Sequence, residues 1–196
     1  NMIFLMCDDL GYGDTGFNCH PRIRTPHLDA LRMEGMKFTR FYAGGPVCSP
    51  TRGTCLTGRH YSRYGITHAN VGHLPEEEIT IARVAKEQGY TTGHFGKWHL
   101  GTMSTAIRDS NRGGPDYPEE FSPPWLHGFD TCFSSEAKVP TWDPMVTPDE
   151  IGPKGPIWGE PGAPFGTYYW NERGERIEDN LNGDDCRVIM DRAIPF

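Results

Sequence analysis

Short apolar runs separated by glycines and polar residues mark the first half of the chain. The runs at residues 3–6, 36–42 and 90–95 each have the length of a strand. The first is continuous rather than alternating, which is typical of a strand buried on both faces. We therefore expect three strands in this half.

Helical patterns lie between these runs. They predict helices over residues 25–35, 49–58 and 79–88, each ended by a glycine. In the third helix the spacing places Ile81 and Val84 on the face predicted to be buried. Strands that alternate with helices predict an α/β fold with a mostly parallel sheet flanked by helices.

The second half of the chain is richer in glycine and proline and has fewer regular apolar patterns. Residues 102–185 hold 21 glycines and prolines in 84 positions, so we interpret 102–196 as a loop-rich continuation of the domain whose α/β core is 1–101. Within it we predict a hairpin that turns at Gly174 and a terminal helix capped by Asp184 and Asp185. Since the chain opens in one apolar run and ends in another, we interpret 1–196 as the N-terminal part of one larger domain.

Charge and hydropathy exclude several classes of protein. The net charge is −7 and basic residues form no cluster, which argues against a nucleic-acid surface. No apolar run approaches the roughly 20 residues of a membrane-spanning helix. The chemistry must therefore be sought in local groups of residues.

Three polar segments follow predicted strands or open a predicted helix, at residues 8–14, 48–52 and 96–101. In open α/β sheets, ligands bind beyond the carboxyl ends of the strands. We therefore expect these three segments to converge on one site.

Each segment carries reactive side chains. Adjacent Asp8 and Asp9 offer the oxygen ligands that a hard cation prefers, or form an ordinary solvated turn. Cys48 at a helix start, with Arg52 four positions on, suits a reactive thiol beside an anion, or else a buried or disulfide-bonded cysteine. The six cysteines fit no common zinc spacing, and their pairing cannot be read from sequence.

Lys97 and His99 lie two positions apart. On an extended segment they would point to the same side, where they could bind an anion and move a proton. The alternative is a lysine at the end of a strand followed by a core histidine.

These residues together resemble the sulfatase family. The sequence CSPTRG at 48–53 is similar to the family's Cys-x-Pro-Ser/Thr-Arg signature, and LTGR follows at 56–59. DDLGYGD at 8–14 looks like its first metal motif, and GKWHLG at 96–101 like its second signature. TPHLD at 25–29 also matches the family pattern, with His27 where the family has Asn. The likeness covers about residues 2–101 in matching order and spacing.

The resemblance implies an alkaline phosphatase-like fold and a specific chemistry. Cys48 would be converted to formylglycine (3-oxoalanine) by a formylglycine-generating enzyme. One hydroxyl of the hydrated aldehyde would attack sulfur and displace the alcohol. The second would then lose its proton, expel sulfate and restore the aldehyde.

The same resemblance assigns roles to the other residues. Asp8 and Asp9, with the modified Cys48, would hold Ca²⁺ in preference to Mg²⁺. Arg52 would stabilise the deprotonated diol, Lys97 would bind a sulfate oxygen, and His99 would assist deprotonation.

One part of the family pattern has no convincing counterpart. The family completes its metal site with a downstream Asp-Asn/Gln pair and a further His and Lys. Asp179-Asn180 and Asp184-Asp185 follow no buried strand, so we expect the missing ligands beyond residue 196 and the chain alone to be inactive.

The expected function is hydrolysis of a sulfate ester on a small molecule or glycan, in an exported protein of the periplasm, the extracellular space or the lysosome. A phosphodiesterase or phosphonate monoester hydrolase, and a non-catalytic sulfatase-like binding module, stay open as alternatives. A set of aromatic residues either forms a sugar-stacking surface or packs against loops: Trp125, Trp142, Trp158, Tyr168, Tyr169 and Trp170.

Overall fold

The computed structural model describes residues 1–110, 112–149 and 159–196. These divide into two compact units, residues 1–43 and residues 44–196. Each unit is described by itself below.

The first unit is built on one helix. Helix α1 spans Pro26–Glu34, starts after Thr25 with proline at its first position, and ends at Gly35 as the sequence predicts. The Thr25 hydroxyl accepts a hydrogen bond from the Gly16 amide (2.8 Å), and the Asp29 carboxylate accepts one from Phe17 N (2.9 Å). These bonds fasten the short 3₁₀ turn Gly16–Asn18 against the helix.

Two of the predicted strands do not form. Residues 3–6 and 36–42 take no strand conformation, and Ile3 is 92% exposed. A strand is stable only when a neighbour pairs its backbone N–H and C=O groups. Because the first unit contains no strand at all, neither run has such a neighbour within it.

The second unit holds the remaining regular structure of the described residues. Its helices are α2 (Cys48–Thr57), α3 (Ile81–Glu87) and α4 (Asp185–Ala193). Its strands are β1 (Gly93–Lys97), β2 (Arg108–Asp109), β3 (Arg112–Gly113), β4 (Thr131–Ser135), β5 (Tyr169–Trp170) and β6 (Arg176–Ile177). Short 3₁₀ turns lie at Tyr61–Arg63, Gly114–Asp116, Pro118–Glu120 and Pro124–His127.

The sheet is mixed rather than mostly parallel. Its order is β1-β4-β5-β6, in which β1 and β4 are parallel and the other two pairs are antiparallel. The pair β5–β6 is the predicted hairpin, which turns at Gly174 with φ 71°. The α/β class is therefore correct, and the hairpin changes the strand directions because a short turn can join only antiparallel strands.

Helix α3 is shorter than predicted and buries a different face. Ala82 is 4% exposed, whereas Ile81 and Val84 are 40% and 48% exposed. The cause is the turn at Gly128, where an added Cβ would lie 2.7 Å from the Arg83 amide nitrogen. That close approach brings the Ala82–Arg83 side of the helix against the turn.

The core of the second unit lies around the end of β1. Trp98 is 1% exposed, and its indole Nε1–H donates to the Ser122 carbonyl (2.7 Å). Leu74 and Leu100 pack in the same cluster. A second cluster joins Phe133 and Tyr169 with Val188 of α4, and Phe95 of β1 packs against it. Both clusters therefore support the strand that carries Lys97.

Candidate active site

Helix α2 begins at Cys48, one residue before the predicted start. Val47 takes an extended conformation (φ −141°, ψ 173°) and acts as the N-cap, and the helix ends at Gly58 in the left-handed region. Cys48 is half-buried. Its position in the first turn places it among the unpaired amide N–H groups, where the helix dipole favours negative charge.

Side chains around α2 fix its position. The Tyr64 hydroxyl donates to the Pro50 carbonyl (2.8 Å) and lies 3.1 Å from the Thr54 hydroxyl. The ring lies so close to Gly53 that an added Cβ would be 2.6 Å from the Tyr64 oxygen. Thr51 Oγ1 bonds both the amide and the carbonyl of Gly45 (3.1 and 2.7 Å) and so holds the loop before the helix. These contacts tie the first half of α2 to the loop before it and to Tyr64.

Two of the three polar segments meet in the second unit. The Arg52 guanidinium donates a hydrogen bond to the carbonyl oxygen of Lys97, which is the last residue of β1. The Trp98 amide then donates to the Ser135 carbonyl (2.8 Å), continuing the pairing with β4 by one residue. The predicted convergence of 48–52 and 96–101 is confirmed. Segment 8–14 lies in the first unit, so its place beside them stays a prediction.

The extended backbone on which the expected arrangement of Lys97 and His99 depends does not continue to His99. Extended backbone ends before His99, which has φ 57° and a side chain that is almost fully buried. Trp98, between them, is buried in the core. The left-handed residue breaks the alternation of sides that a strand imposes.

A residue that the sequence did not single out contacts His99. The His99 Nε2 atom is hydrogen bonded to the Oδ1 atom of Asn70, which is also left-handed with φ 61°. The pattern Asn70-Val71-Gly72 indicates a turn. Nothing in it indicates a contact 29 residues further along the chain.

A buried ion-pair network was also missed. Arg112 donates to Glu136 and Glu120 (both 2.7 Å) and to the carbonyl of Gly72 (2.7 Å). Arg112 and Glu136 are 3% and 0% exposed. Burial raises the pKa of Glu136, and Arg112 opposes that shift. The residues come from distant points of the sequence, so no local pattern predicts them.

A half-buried histidine, His94, lies close to the site, and its surroundings favour the neutral ring. The His94 ring is 2.7 Å from the Ser134 hydroxyl and edge-on to Trp98 at 5.2 Å between centroids. Burial, with the Arg52 charge as the smaller cause, lowers the pKa of His94 to about 3. Burial also raises the pKa of the Cys55 thiol, although Arg52 acts against it. Neither residue has the character of a reactive group at neutral pH.

The acidic pair lies in the first unit. Asp8 and Asp9 are exposed, and a carboxylate oxygen of one lies within 4.8 Å of one of the other. Asp9 has φ 62°. Two adjacent carboxylates of this kind fit a hard cation such as Ca²⁺, which binds oxygen ligands.

The downstream acidic candidates have structural partners instead. Asp184 caps α4 by accepting from Arg187 N (3.0 Å), as predicted. Asp179 pairs with Arg192 (2.8 Å), and the Asn180 amide donates to Asp191 (3.0 Å). These contacts give Asp184, Asp179 and Asn180 partners within the chain, while ligand atoms of Asp184, Asp185 and Cys186 lie within 4.8 Å of one another.

The aromatic residues divide into two groups. Tyr169 and Trp170 are buried in the core and cannot stack on a sugar, whereas Trp142 is 65% exposed. Trp125 and Tyr168 pack against the core cluster, and Trp158 lies outside the described residues. The six cysteines all lie in the described ranges, and the structure joins none of them by a disulfide. No helix of the described residues is long and apolar enough to span a membrane.

Comparison with known proteins decides the family. The sequence model of the Sulfatase family matches residues 1–173. The chain belongs to the sulfatase family. Sulfatase membership accounts for the spacing of the signature at 48–53 and the second signature at 96–101.

Two curated proteins that are similar to this chain carry the names of sulfatases. The chain is 44% identical over 119 residues to steryl-sulfatase of Rattus norvegicus, covering 56% of this chain and 21% of that protein. It is 34% identical over 171 residues to arylsulfatase D of Homo sapiens, covering 81% and 27%. The chain therefore spans about a fifth to a quarter of the length of these curated relatives.

A solved structure supports the fold. Ps i-CgsB in complex with k-i-k-neocarrahexaose is 26% identical, with a TM-score of 0.63 over 94% of this chain and 37% of that chain. The likeness covers almost the whole sequence. It agrees with the α/β fold expected of the family.

Proposed function

We propose that the protein hydrolyses a sulfate ester by means of a formylglycine derived from Cys48, with Ca²⁺ as cofactor. The observation that carries the proposal is the bond from Arg52 to the Lys97 carbonyl, which joins the first turn of α2 to the end of β1. It holds the signature cysteine, the signature arginine and Lys97 on one rigid framework. Family membership supplies the chemistry that this framework suits.

The side chains of the framework suit the charge changes of sulfate transfer. When formed and hydrated, formylglycine supplies an oxygen nucleophile and a second hydroxyl that allows sulfate to be released. The Arg52 guanidinium stabilises negative charge near the first turn of α2, to which the helix dipole adds. Lys97 binds an oxygen of the sulfate group, and His99 accepts a proton.

The residues of the first unit are suited to the cation. Asp8 and Asp9 would hold Ca²⁺ through carboxylate oxygens, with Mg²⁺ less favoured because it demands a stricter geometry. When bound, the cation withdraws electrons from the oxygens around sulfur. The remaining ligands would come from elsewhere in the full-length protein.

A sulfated carbohydrate is the substrate class that we propose. It is supported by Ps i-CgsB, which has been solved with the oligosaccharide k-i-k-neocarrahexaose. Trp142 is the exposed member among the described residues of the aromatic set, so we propose that it stacks on a sugar ring. We further propose maturation by a formylglycine-generating enzyme and a destination in the periplasm, the extracellular space or the lysosome.

The proposal is tested on the full-length protein from its native host. The tryptic peptide 41–52 contains Cys48, and its mass distinguishes an aldehyde from a thiol. We expect the aldehyde, together with turnover of 4-nitrophenyl sulfate. Cys48→Ala should lower kcat by at least about 10⁴-fold, because it removes the nucleophile.

Cys55→Ala is the matched control, since Cys55 lies in the same helix and has no role in the proposed chemistry. We expect it to keep activity within about threefold, as for a substitution outside the reacting groups. A peptide with an unmodified thiol and no turnover would favour a non-catalytic binding module. Faster cleavage of 4-nitrophenyl phosphate, or of a matched phosphodiester or phosphonate ester, than of the sulfate would contradict the proposal and favour a phosphohydrolase.

A further inference from the structure

We propose that Asn70 is a positioning residue that holds the proton of His99 on Nε2, so that Nδ1 is the nitrogen that accepts a proton during catalysis. The catalytic part of this inference rests on the proposed function. The placement of the proton is a property of the fold and can be measured separately.

The contact itself specifies the tautomer. The Oδ1 atom of Asn70 is a carbonyl oxygen and can only accept, so the His99 Nε2 atom beside it must donate. In a neutral imidazole the other ring nitrogen is then the acceptor. Since His99 is 4% exposed and Asn70 is exposed, the asparagine lies between the buried ring and solvent.

Both partners adopt backbone conformations that must be maintained by their surroundings. Asn70 and His99 have φ values of 61° and 57°. Asparagine takes the left-handed region readily, whereas histidine does so less often. A left-handed residue two positions after the end of β1 turns the imidazole away from the strand direction and towards the loop that carries Asn70.

That loop is braced against the segment that carries His99. The Leu74 amide donates to the Leu100 carbonyl (2.7 Å), one residue beyond His99. The Gly72 carbonyl accepts from Arg112, which Glu120 and Glu136 hold from the other side. The Asn70 oxygen is therefore presented by a loop fixed at two points within four residues.

The consequence for catalysis is specific. Removing the Asn70 oxygen removes the contact that requires the proton on Nε2, so the form of His99 protonated on Nδ1 becomes accessible. Only a fraction of molecules would then present an acceptor at Nδ1. We expect kcat to fall about 10- to 100-fold, as when a partner that orients a functional histidine is removed, with KM changed less than about threefold.

Two substitutions of Asn70 distinguish a role in holding the His99 proton from a role in maintaining the left-handed turn. Asn70→Gly keeps a residue that favours the left-handed region and removes the oxygen. Asn70→Asp keeps an oxygen acceptor and also tolerates that region. Ser110→Gly makes a similar backbone change at another left-handed residue, with φ 58°, outside the proposed site.

The measurement is kcat and KM of the mature full-length protein on 4-nitrophenyl sulfate, with thermal melting of each variant. We expect the predicted loss in Asn70→Gly, a smaller loss in Asn70→Asp, because its carboxylate keeps the proton on Nε2 but also favours the doubly protonated ring, and parent activity in Ser110→Gly. Wild-type kcat in Asn70→Gly would overturn the proposal. So would equal losses in Asn70→Gly and Asn70→Asp, because the acceptor oxygen would then make no difference.

A second readout does not depend on activity. ¹⁵N-histidine NMR of the same proteins reports which ring nitrogen carries the proton, with the His99 signals identified by their loss in His99→Gln. We expect protonated Nε2 in the parent and in Asn70→Asp, and a mixture in Asn70→Gly. A proton on Nδ1 in the parent would overturn the inference. The expected tautomer in a parent without sulfate turnover would overturn the proposed function alone.

Discussion

The two units hold their signature residues in different ways. In residues 1–43, where every residue is described, Thr15 alone is buried, and the side-chain hydrogen bonds of the Gly16 and Phe17 amides span 9 and 12 residues of sequence. In residues 44–196, buried side chains join residues far apart, such as Arg112 with Gly72 and Trp170 with Asp109. The metal-type motif is thus exposed on a locally held segment, whereas the nucleophile-type motif is fixed by long-range contacts.

This difference shows what a family signature does and does not specify. Both motifs lie within the stretch that the Sulfatase family model matches. In the second unit the residues of the signature are also held by a framework of long-range contacts. Such a framework fixes the orientation of the side chains, as preorganised catalysis requires. The first unit supplies charge and ligand chemistry, with few buried contacts to hold it.

The largest expected effect comes from substitutions in the first unit, which test whether its acidic pair binds the cation. Asp8→Asn with Asp9→Asn removes the carboxylates and keeps the side-chain shapes. In the full-length protein we expect loss of bound Ca²⁺, measured by metal analysis after dialysis, and a loss of sulfatase activity on the order of 10³-fold. We expect little change in thermal stability measured with the metal removed.

The control is Glu34→Gln, which neutralises an exposed carboxylate at the end of α1 in the same unit. It should leave both metal content and activity unchanged. Full Ca²⁺ content in the double variant would show that the acidic pair is a solvated turn, and the proposed metal role would be wrong.

The helices were predictable because their signals are local. The Thr25-Pro26 start, the Gly35 and Gly58 stops and the Asp184 cap act within one turn of the backbone, and all four agree with the structure. The hairpin at Gly174 is equally local.

Strands and site contacts were less predictable because they need partners from elsewhere. Residues 3–6 have the composition of a strand but no neighbouring strand in their unit. The contact of Asn70 with His99 and the burial of Arg112 depend on how distant segments pack. The sequence identified the residues of the candidate chemistry, and packing decided their geometry.

An effect of intermediate size is expected when a charged contact is removed from each unit in turn. Arg112→Met leaves Glu136 buried without its partner, so the free energy of unfolding should fall by about 3–5 kcal/mol. Lys37→Met is the matched change in the first unit, where Lys37 bonds Asn18 and lies 5.0 Å from the Phe17 ring. There we expect less than about 1 kcal/mol.

Guanidinium denaturation of the full-length protein measures both variants. Replacing Glu136 as well, in Arg112→Met with Glu136→Leu, should recover part of the loss, because no unpaired charge is then buried. Equal losses for Arg112→Met and Lys37→Met would contradict the claim that long-range buried contacts distinguish the second unit.

The smallest expected effect probes the framework around the nucleophile with one methyl group in each unit. Gly53→Ala places a Cβ 2.6 Å from the Tyr64 hydroxyl, so the ring or α2 must shift. We expect a loss of about 1–3 kcal/mol in stability. Gly13→Ala is the matched change in the first unit, since an added Cβ there meets nothing within 4 Å and φ is not positive. It should change stability by less than about 0.5 kcal/mol.

The same pair also tests whether rigidity of α2 matters for turnover. If Tyr64 holds the first turn as the contacts indicate, Gly53→Ala should lower kcat on 4-nitrophenyl sulfate by more than its fraction unfolded explains, because Pro50, whose carbonyl Tyr64 bonds, lies two residues after Cys48. Gly13→Ala should keep full turnover. A Gly53→Ala enzyme that loses stability yet keeps kcat would show that the turn carrying Cys48 tolerates movement, so that the second unit's framework serves folding more than catalysis.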